Sequence, residues 1–350
     1  MNVWLRCCFD RDVHFNIQMQ NRLKIFTWHI HGSYLYYLSQ GNYDIYIPTK
    51  PEKTEGYYGR GKTFPFGDNV IEIPANEVKD HQFDVILFQT NNNYLTDQHE
   101  ILSDAQKQLP KIYIEHDPPR QHPTDTRHIL DTTDVTLVHV THFNKLMWDS
   151  NRTPTRVIEH GVTLPKATYT GELNKGIVVI NNLPARGRLL GLDVFLEVRQ
   201  QVQLDLVGMG TGDLGLGEVL HPQLPEFQSR YRFFFNPIRY TSLGLAICEA
   251  MMMGIPVVGL ATTELSAVID NGYSGFIHTD VNYLVEKMNL LIANPELARE
   301  IGANGREVAM KRFNIERFAR NWEQLFEEVT ADSTTKTYHN EQKTTYETAK

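Results

Sequence analysis

Near-continuous apolar runs alternate with amphipathic stretches along most of this chain. In the first half, the runs at 23–29 (LKIFTWH), 43–48 (YDIYIP), 83–89 (FDVILFQ), 111–116 (KIYIEH) and 134–141 (DVTLVHVT) predict strands. Loops and helical stretches such as 142–149 separate them. Strands with little polar alternation belong to a parallel sheet covered on both faces. TRVIEHGVTLP (155–165) closes this half, and ATYTGELNK (167–175) reads as a linker. A second series then begins with GIVVINN (176–182), a helix at about 191–202, LDLVGMG (204–210), and a helix leading into RFFFNP. LGLAICEAMMMG has helical spacing and stops at Gly254, IPVVGL is another β-branched run, and further helices are expected at 281–294, 296–311 and 315–330. No repeat of 20–50 residues is visible, which argues against a solenoid.

The pattern predicts two doubly wound α/β domains, at 22–166 and 167–314, facing each other across a cleft. Residues 1–21 read as an unstructured extension, with translation expected to start at Met19. Residues 331–350 are polar, without apolar period, and are expected to be disordered.

Composition narrows the classes. The 350 residues suffice for about two domains, and 41% hydrophobic with 22% charged is ordinary for a globular protein. A net charge of -8 argues against a nucleic-acid binder. No apolar run reaches the roughly 18 residues of a membrane-spanning helix, and residues 1–18 lack the features of a secretory signal. Three cysteines (Cys7, Cys8, Cys248) give no disulfide framework, so a cytoplasmic location is expected.

Residues 227–276 narrow the function most. An apolar strand ends at Pro237, a polar turn runs through Tyr240, Thr241 and Ser242, and a helix follows. Loops at the carboxyl ends of parallel strands are where α/β proteins bind ligands. A helix that begins there turns its free N–H groups toward that ligand, which suits phosphate. Glu249 lies about two turns into this helix, where a carboxylate on an apolar segment needs a partner.

This segment resembles the donor-binding segment of family-4 (group 1) retaining glycosyltransferases, which have the GT-B fold of two Rossmann-like domains. The matching residues are Pro237, Leu243, Gly244, Leu245, Glu249, Ala250, Gly254, Pro256, Val257, Val258, Glu264, Asn271, Gly272 and Gly275. Two departures stand out. Thr241 occupies the position of the first carboxylate in the family's Glu-x7-Glu pair, and Leu190 occupies that of a basic residue after the strand GIVVINN.

The resemblance implies a nucleotide-diphosphate sugar in the C-terminal half, a glycan, lipid or small-molecule acceptor in the N-terminal half, and a 315–330 helix crossing back onto the first domain. It implies transfer with retention of configuration and no metal cofactor. Arg186 or Arg188 would stabilise the leaving diphosphate, which needs positive charge or N–H donors. Glu249 would accept from both ribose hydroxyls, the alternative being an ion pair with Arg239. Thr241 and the N–H groups of Ser242, Leu243, Gly244 and Leu245 would bind phosphate, with Glu264 nearby. Gly32 and Ser33, after the first strand, would let the backbone approach the donor, and His116 would contact the donor sugar. His160 reads as a turn residue. Polysaccharide assembly and peripheral membrane contact are compatible with this reading.

Two rivals stand beside it. His29, His31 and His116, with Asp117, His139 and His142, fall at or after strand ends and could hold a metal ion in a hydrolase. The missing first carboxylate motivates the other, a catalytically silent GT-B module that binds a nucleotide sugar.

Overall fold

The computed structural model describes residues 22–347; the 1–21 extension and the Met19 start lie outside the described residues. Two all-parallel sheets form. The first has seven strands: β1 (Lys24–Thr27), β2 (Asp44–Thr49), β3 (Val70–Pro74), β4 (Val85–Phe88), β5 (Lys111–Glu115), β6 (Val135–His139) and β7 (Thr155–Val157). Their order is β3-β2-β1-β4-β5-β6-β7. The second sheet holds β8 (Leu173–Val179), β9 (Leu204–Val207), β10 (Tyr231–Asn236), β11 (Val257–Leu260) and β12 (Phe276–His278), in the order β12-β11-β10-β8-β9.

Every residue of β4, β10 and β11 is buried, including Arg232 and Asn236 of β10, as a parallel sheet covered on both faces requires. β3 departs from that pattern as an edge strand of its sheet: Val70 and Ile73 are buried while Glu72 and Pro74 are exposed. The linker expected at 167–175 is shorter, because β8 begins at Leu173, which pairs with Tyr231 before the register shifts.

In each sheet the chain reverses its winding direction once, between β1 and β4 and between β8 and β10. Loops diverge at such switch points and leave a crevice. The loops after β8 and β10 are held close at Gly191 (φ +79), where a Cβ would stand 1.9 Å from the Pro237 carbonyl oxygen. The helix expected after Gly244 runs Leu245–Met253 and is ended by Gly254 in the left-handed conformation.

The last helix, Ile315–Glu347, packs on the N-terminal lobe through aromatic pairs: Phe318 with Tyr34 and Phe326 with Tyr43. It continues through residues expected to be a disordered tail, because neither glycine nor proline interrupts 315–347. Among the described residues no helix is long and apolar enough to cross a membrane.

Candidate active site

A cavity of about 380 Å³ lies between the lobes at both switch points. The N-terminal lobe lines it with His31, Ser33, His116 and Asp117, and the C-terminal lobe with Arg186, Thr241, Ser242, Leu243, Gly244 and Leu245. A second cavity, of about 440 Å³, opens from it into the N-terminal lobe and shares His31, His116, Asp117 and Arg120. A larger hollow of about 950 Å³ sits at the amino ends of β1, β4 and β5, lined by Lys24, Asp84 and Leu109. That is the opposite end from where doubly wound sheets bind ligands.

Three groups face the inter-lobe cavity without a protein partner that neutralises them. The Arg186 guanidinium has no hydrogen bond or ion pair among the described residues, while its backbone N–H donates to the Asn182 carbonyl. Partial burial and then Arg120 lower its pKa, with Asp117 opposing, yet a guanidinium stays protonated. The buried hydroxyl of Ser242 is unpartnered. A Cβ on Gly244, which precedes the helix, would meet nothing within 4 Å, so the helix start is open.

His160 holds this loop: its Nε2–H donates to the Leu243 carbonyl at 2.8 Å. Burial lowers its pKa to about 4, so it is neutral at pH 7. The expected turn residue thus braces the turn from the other lobe. His116 Nε2–H donates to Gln89 Oε1 at 3.2 Å, because the Gln89 amide NH2 is spent on Thr27 and Trp28. Burial, then the His31 and His160 imidazoles, push His116 well below its usual pKa. It can hydrogen-bond a hydroxyl but carries no charge near pH 7.

Four expected site residues stand elsewhere. Arg188 is 75% exposed and pairs with Asp193, since the turn after β8 points it to solvent. Gly32 is enclosed: a Cβ would meet the Phe64 ring at 2.5 Å, so its smallness serves packing. Glu264 is 3% exposed, with one oxygen on Arg312 and the other accepting from the Phe143 N–H at 2.9 Å, a tie between lobes. Glu249 lies one turn behind Leu245 and outside the cavity wall. Its Oε1 accepts from the Tyr37 hydroxyl at 2.7 Å, with His221 Nε2 at 3.5 Å. The alternative pairing with Arg239 does not form, because Arg239 is bound to Asp193.

Sequence reasoning missed His221 and Arg120 as site neighbours and placed Asp117 only in the rival metal reading. Asp117 Oδ1 accepts from Thr241 Oγ1 at 2.9 Å, so a carboxylate from the other lobe reaches position 241. The loop sequence HDPPR was its one visible signal.

Residues 174–294 match the family model described as glycosyl transferases group 1. The C-terminal half is thus similar to group 1 glycosyltransferases over that stretch. The glycosyltransferase-like chain is also 24% identical to an uncharacterized glycosyltransferase of Methanocaldococcus jannaschii, over 49% of this chain and 53% of that protein. It is 31% identical to alpha-maltose-1-phosphate synthase of Mycolicibacterium smegmatis, over 39% of this chain and 37% of that one. The match thus spans about half, or less, of the length of these curated relatives.

Among solved structures it resembles sucrose-phosphate synthase from Thermosynechococcus elongatus (TM-score 0.65, 17% identity, 89% of this chain and 100% of that one). It also resembles Anabaena HepE in complex with UDP and glucose (TM-score 0.61, 13% identity, 87% and 99%). The fold is GT-B, as expected from the sequence.

The hydrolase reading loses its geometry. His29 donates from Nδ1 to the Gly59 carbonyl, and His31 lies tilted against His116 with ring centroids 4.2 Å apart. Among the described residues no three His, Cys, Asp or Glu side chains gather as a metal site requires. The family match likewise favours the glycosyltransferase over either rival.

Proposed function

We propose that this protein transfers a sugar from a nucleotide-diphosphate sugar to an acceptor with retention of anomeric configuration. One observation carries the reading. An unpaired Arg186 guanidinium, the unpartnered Ser242 hydroxyl and an open helix start converge on one inter-lobe cavity, in a stretch similar to group 1 glycosyltransferases. A departing diphosphate needs a guanidinium and N–H donors at that place.

The diphosphate binds at Arg186 and the 242–245 backbone, and His116 hydrogen-bonds a donor-sugar hydroxyl. Glu249 receives the ribose hydroxyls once the Tyr37 bond is exchanged. As the acceptor oxygen bonds to the anomeric carbon, the bond from that carbon to the diphosphate oxygen breaks and its electron pair leaves with the diphosphate. The acceptor proton passes to the leaving diphosphate. Arg186 and the helix start supply the positive charge, so a metal ion is not required. Nucleotide sugars are made in the cytoplasm, where a chain with a free, buried Cys248 belongs.

The test is a thermal-shift screen against UDP, GDP, ADP and dTDP sugars, followed by donor cleavage. Ligand that binds only the folded state raises its stability. At least one nucleotide sugar is expected to shift the melting temperature and to be consumed. A shift without consumption would identify a silent module, and no shift with any of the four would end the reading.

A further inference from the structure

The two cavities of the cleft meet at one carboxylate. Of the four residues they share, Asp117 alone is acidic. Its main chain is pinned: the N–H donates to Glu115 Oε1 at 3.0 Å and the carbonyl accepts from Trp148 Nε1 at 2.8 Å. Pro118 and Pro119, both buried, fix the chain that follows. The side chain is pinned as well, by Thr241 on Oδ1 at 2.9 Å and by Arg120 on Oδ2 at 2.5 Å. An ionised carboxylate offers about four lone-pair sites, so acceptor capacity remains at the junction.

The walls of the N-terminal cavity say what meets that capacity. Asn91, Glu115 and Arg127 supply planar hydrogen-bonding groups, and Trp148 an aromatic ring. Several planar polar groups beside an aromatic ring suit a ring bearing many hydroxyls. An alkyl chain would need a continuous apolar wall, and here it would strip water from amides and charges without replacing their hydrogen bonds.

We infer that the N-terminal cavity takes a sugar as acceptor and that Asp117 accepts a hydrogen bond from the attacking hydroxyl, holding it where the two cavities join. This rests on the transferase reading. Asp117 stays ionised throughout: the acceptor proton goes to the departing diphosphate, and the carboxylate orients the oxygen lone pair toward the anomeric carbon. Thr241, reaching across from the donor-side loop, sets the carboxylate relative to the donor.

The experiment uses the full chain with the donor found by screening. Glucose, maltose and N-acetylglucosamine are the sugar acceptors, and dodecanol in detergent micelles is the apolar one. Transfer to at least one sugar is expected. Asp117→Asn and Asp117→Ala should lower kcat/KM for that sugar roughly 10- to 100-fold, the range for losing a charge-assisted hydrogen bond, with donor KM within about 3-fold. Retained nucleotide-induced stabilisation of both variants shows that they fold.

Transfer to dodecanol alone, or donor consumption with no sugar accepted, overturns the acceptor class. An unchanged acceptor kcat/KM, or an equal rise in donor KM, overturns the role of Asp117. Absence of donor binding and cleavage by wild type, before any acceptor is added, brings down the transferase reading itself and this inference with it.

Discussion

The hydroxyl of Tyr37 in the N-terminal lobe donates to Oε1 of Glu249 in the C-terminal lobe, at 2.7 Å. Tyr37 is held well above its usual pKa by burial and then by the Glu249 charge, so it remains a donor at any physiological pH. Glu249 is 14% exposed, and Tyr37 and His221 are its neighbours there. A ribose that reaches this carboxylate must therefore compete with a tyrosine from the opposite lobe.

That competition has a sign. Tyr37→Phe removes the rival donor and should tighten nucleotide binding about 2- to 10-fold, the worth of one net hydrogen bond. Glu249→Ala should abolish the nucleotide-induced thermal shift. Titration calorimetry with the nucleotide found by screening checks both. Weaker binding by Tyr37→Phe would mean that the tyrosine orients the carboxylate instead of obstructing it.

The two arginines after β8 should separate cleanly. Arg186→Ala is expected to weaken diphosphate binding roughly 10- to 100-fold, since a charge-assisted contact in the cleft is lost. Arg188→Ala should change binding less than about 2-fold and stability by less than about 1 kcal/mol, because its pair with Asp193 is exposed. Binding constants of the two variants, measured side by side, decide it.

Glu264 is expected to matter for folding before it matters for ligand. Its removal leaves Arg312 with Glu159 and the Ala267 carbonyl as partners and frees the Phe143 N–H at the lobe interface. Breaking a buried pair costs about 3–5 kcal/mol, so Glu264→Ala should lower the urea midpoint markedly. At a temperature where the variant is folded, nucleotide affinity should stay within a few-fold of wild type.

Acid should destabilise the protein through buried neutral histidines. Burial lowers His160 to about 4 and His139 to about 3. In the unfolded chain both titrate near 6.5. Between that value and their folded values the unfolded state binds more protons, so stability falls as pH drops from about 6.5 toward 4. His160→Gln should flatten this slope by up to one proton, read from urea unfolding at pH 4.5 to 7.5. An unaltered slope would show that His160 is charged when folded.

Much of the architecture was legible because it follows local rules. Apolar runs such as VILF and the three phenylalanines within YRFFFN are buried on both faces, so their pattern alone announces parallel strands. Gly254 ends its helix by a backbone conformation that needs no partner. Strand ends followed by Pro237 or by Asp117-Pro118-Pro119 mark the loops where a ligand cleft forms, and Arg186, His116 and the 241–245 turn do line it. The last helix runs on to Glu347, into the segment expected to be a disordered tail, since no glycine or proline interrupts it.

What tertiary structure alone decided is which partner each charged side chain meets. Tyr37 and Glu249 are 212 residues apart, Asp117 and Thr241 are 124 apart, and Phe143 and Glu264 are 121 apart. Periodicity assigns a residue to a face of its own helix or strand, but the group opposite is set by how two lobes pack through many weak contacts. So the sequence by itself determined the twin sheets, the cleft loops and the helix that opens on it. The docking of the lobes turned Glu264 into a buried tie, moved Arg188 out to solvent, and brought a carboxylate from the other lobe to the threonine at 241.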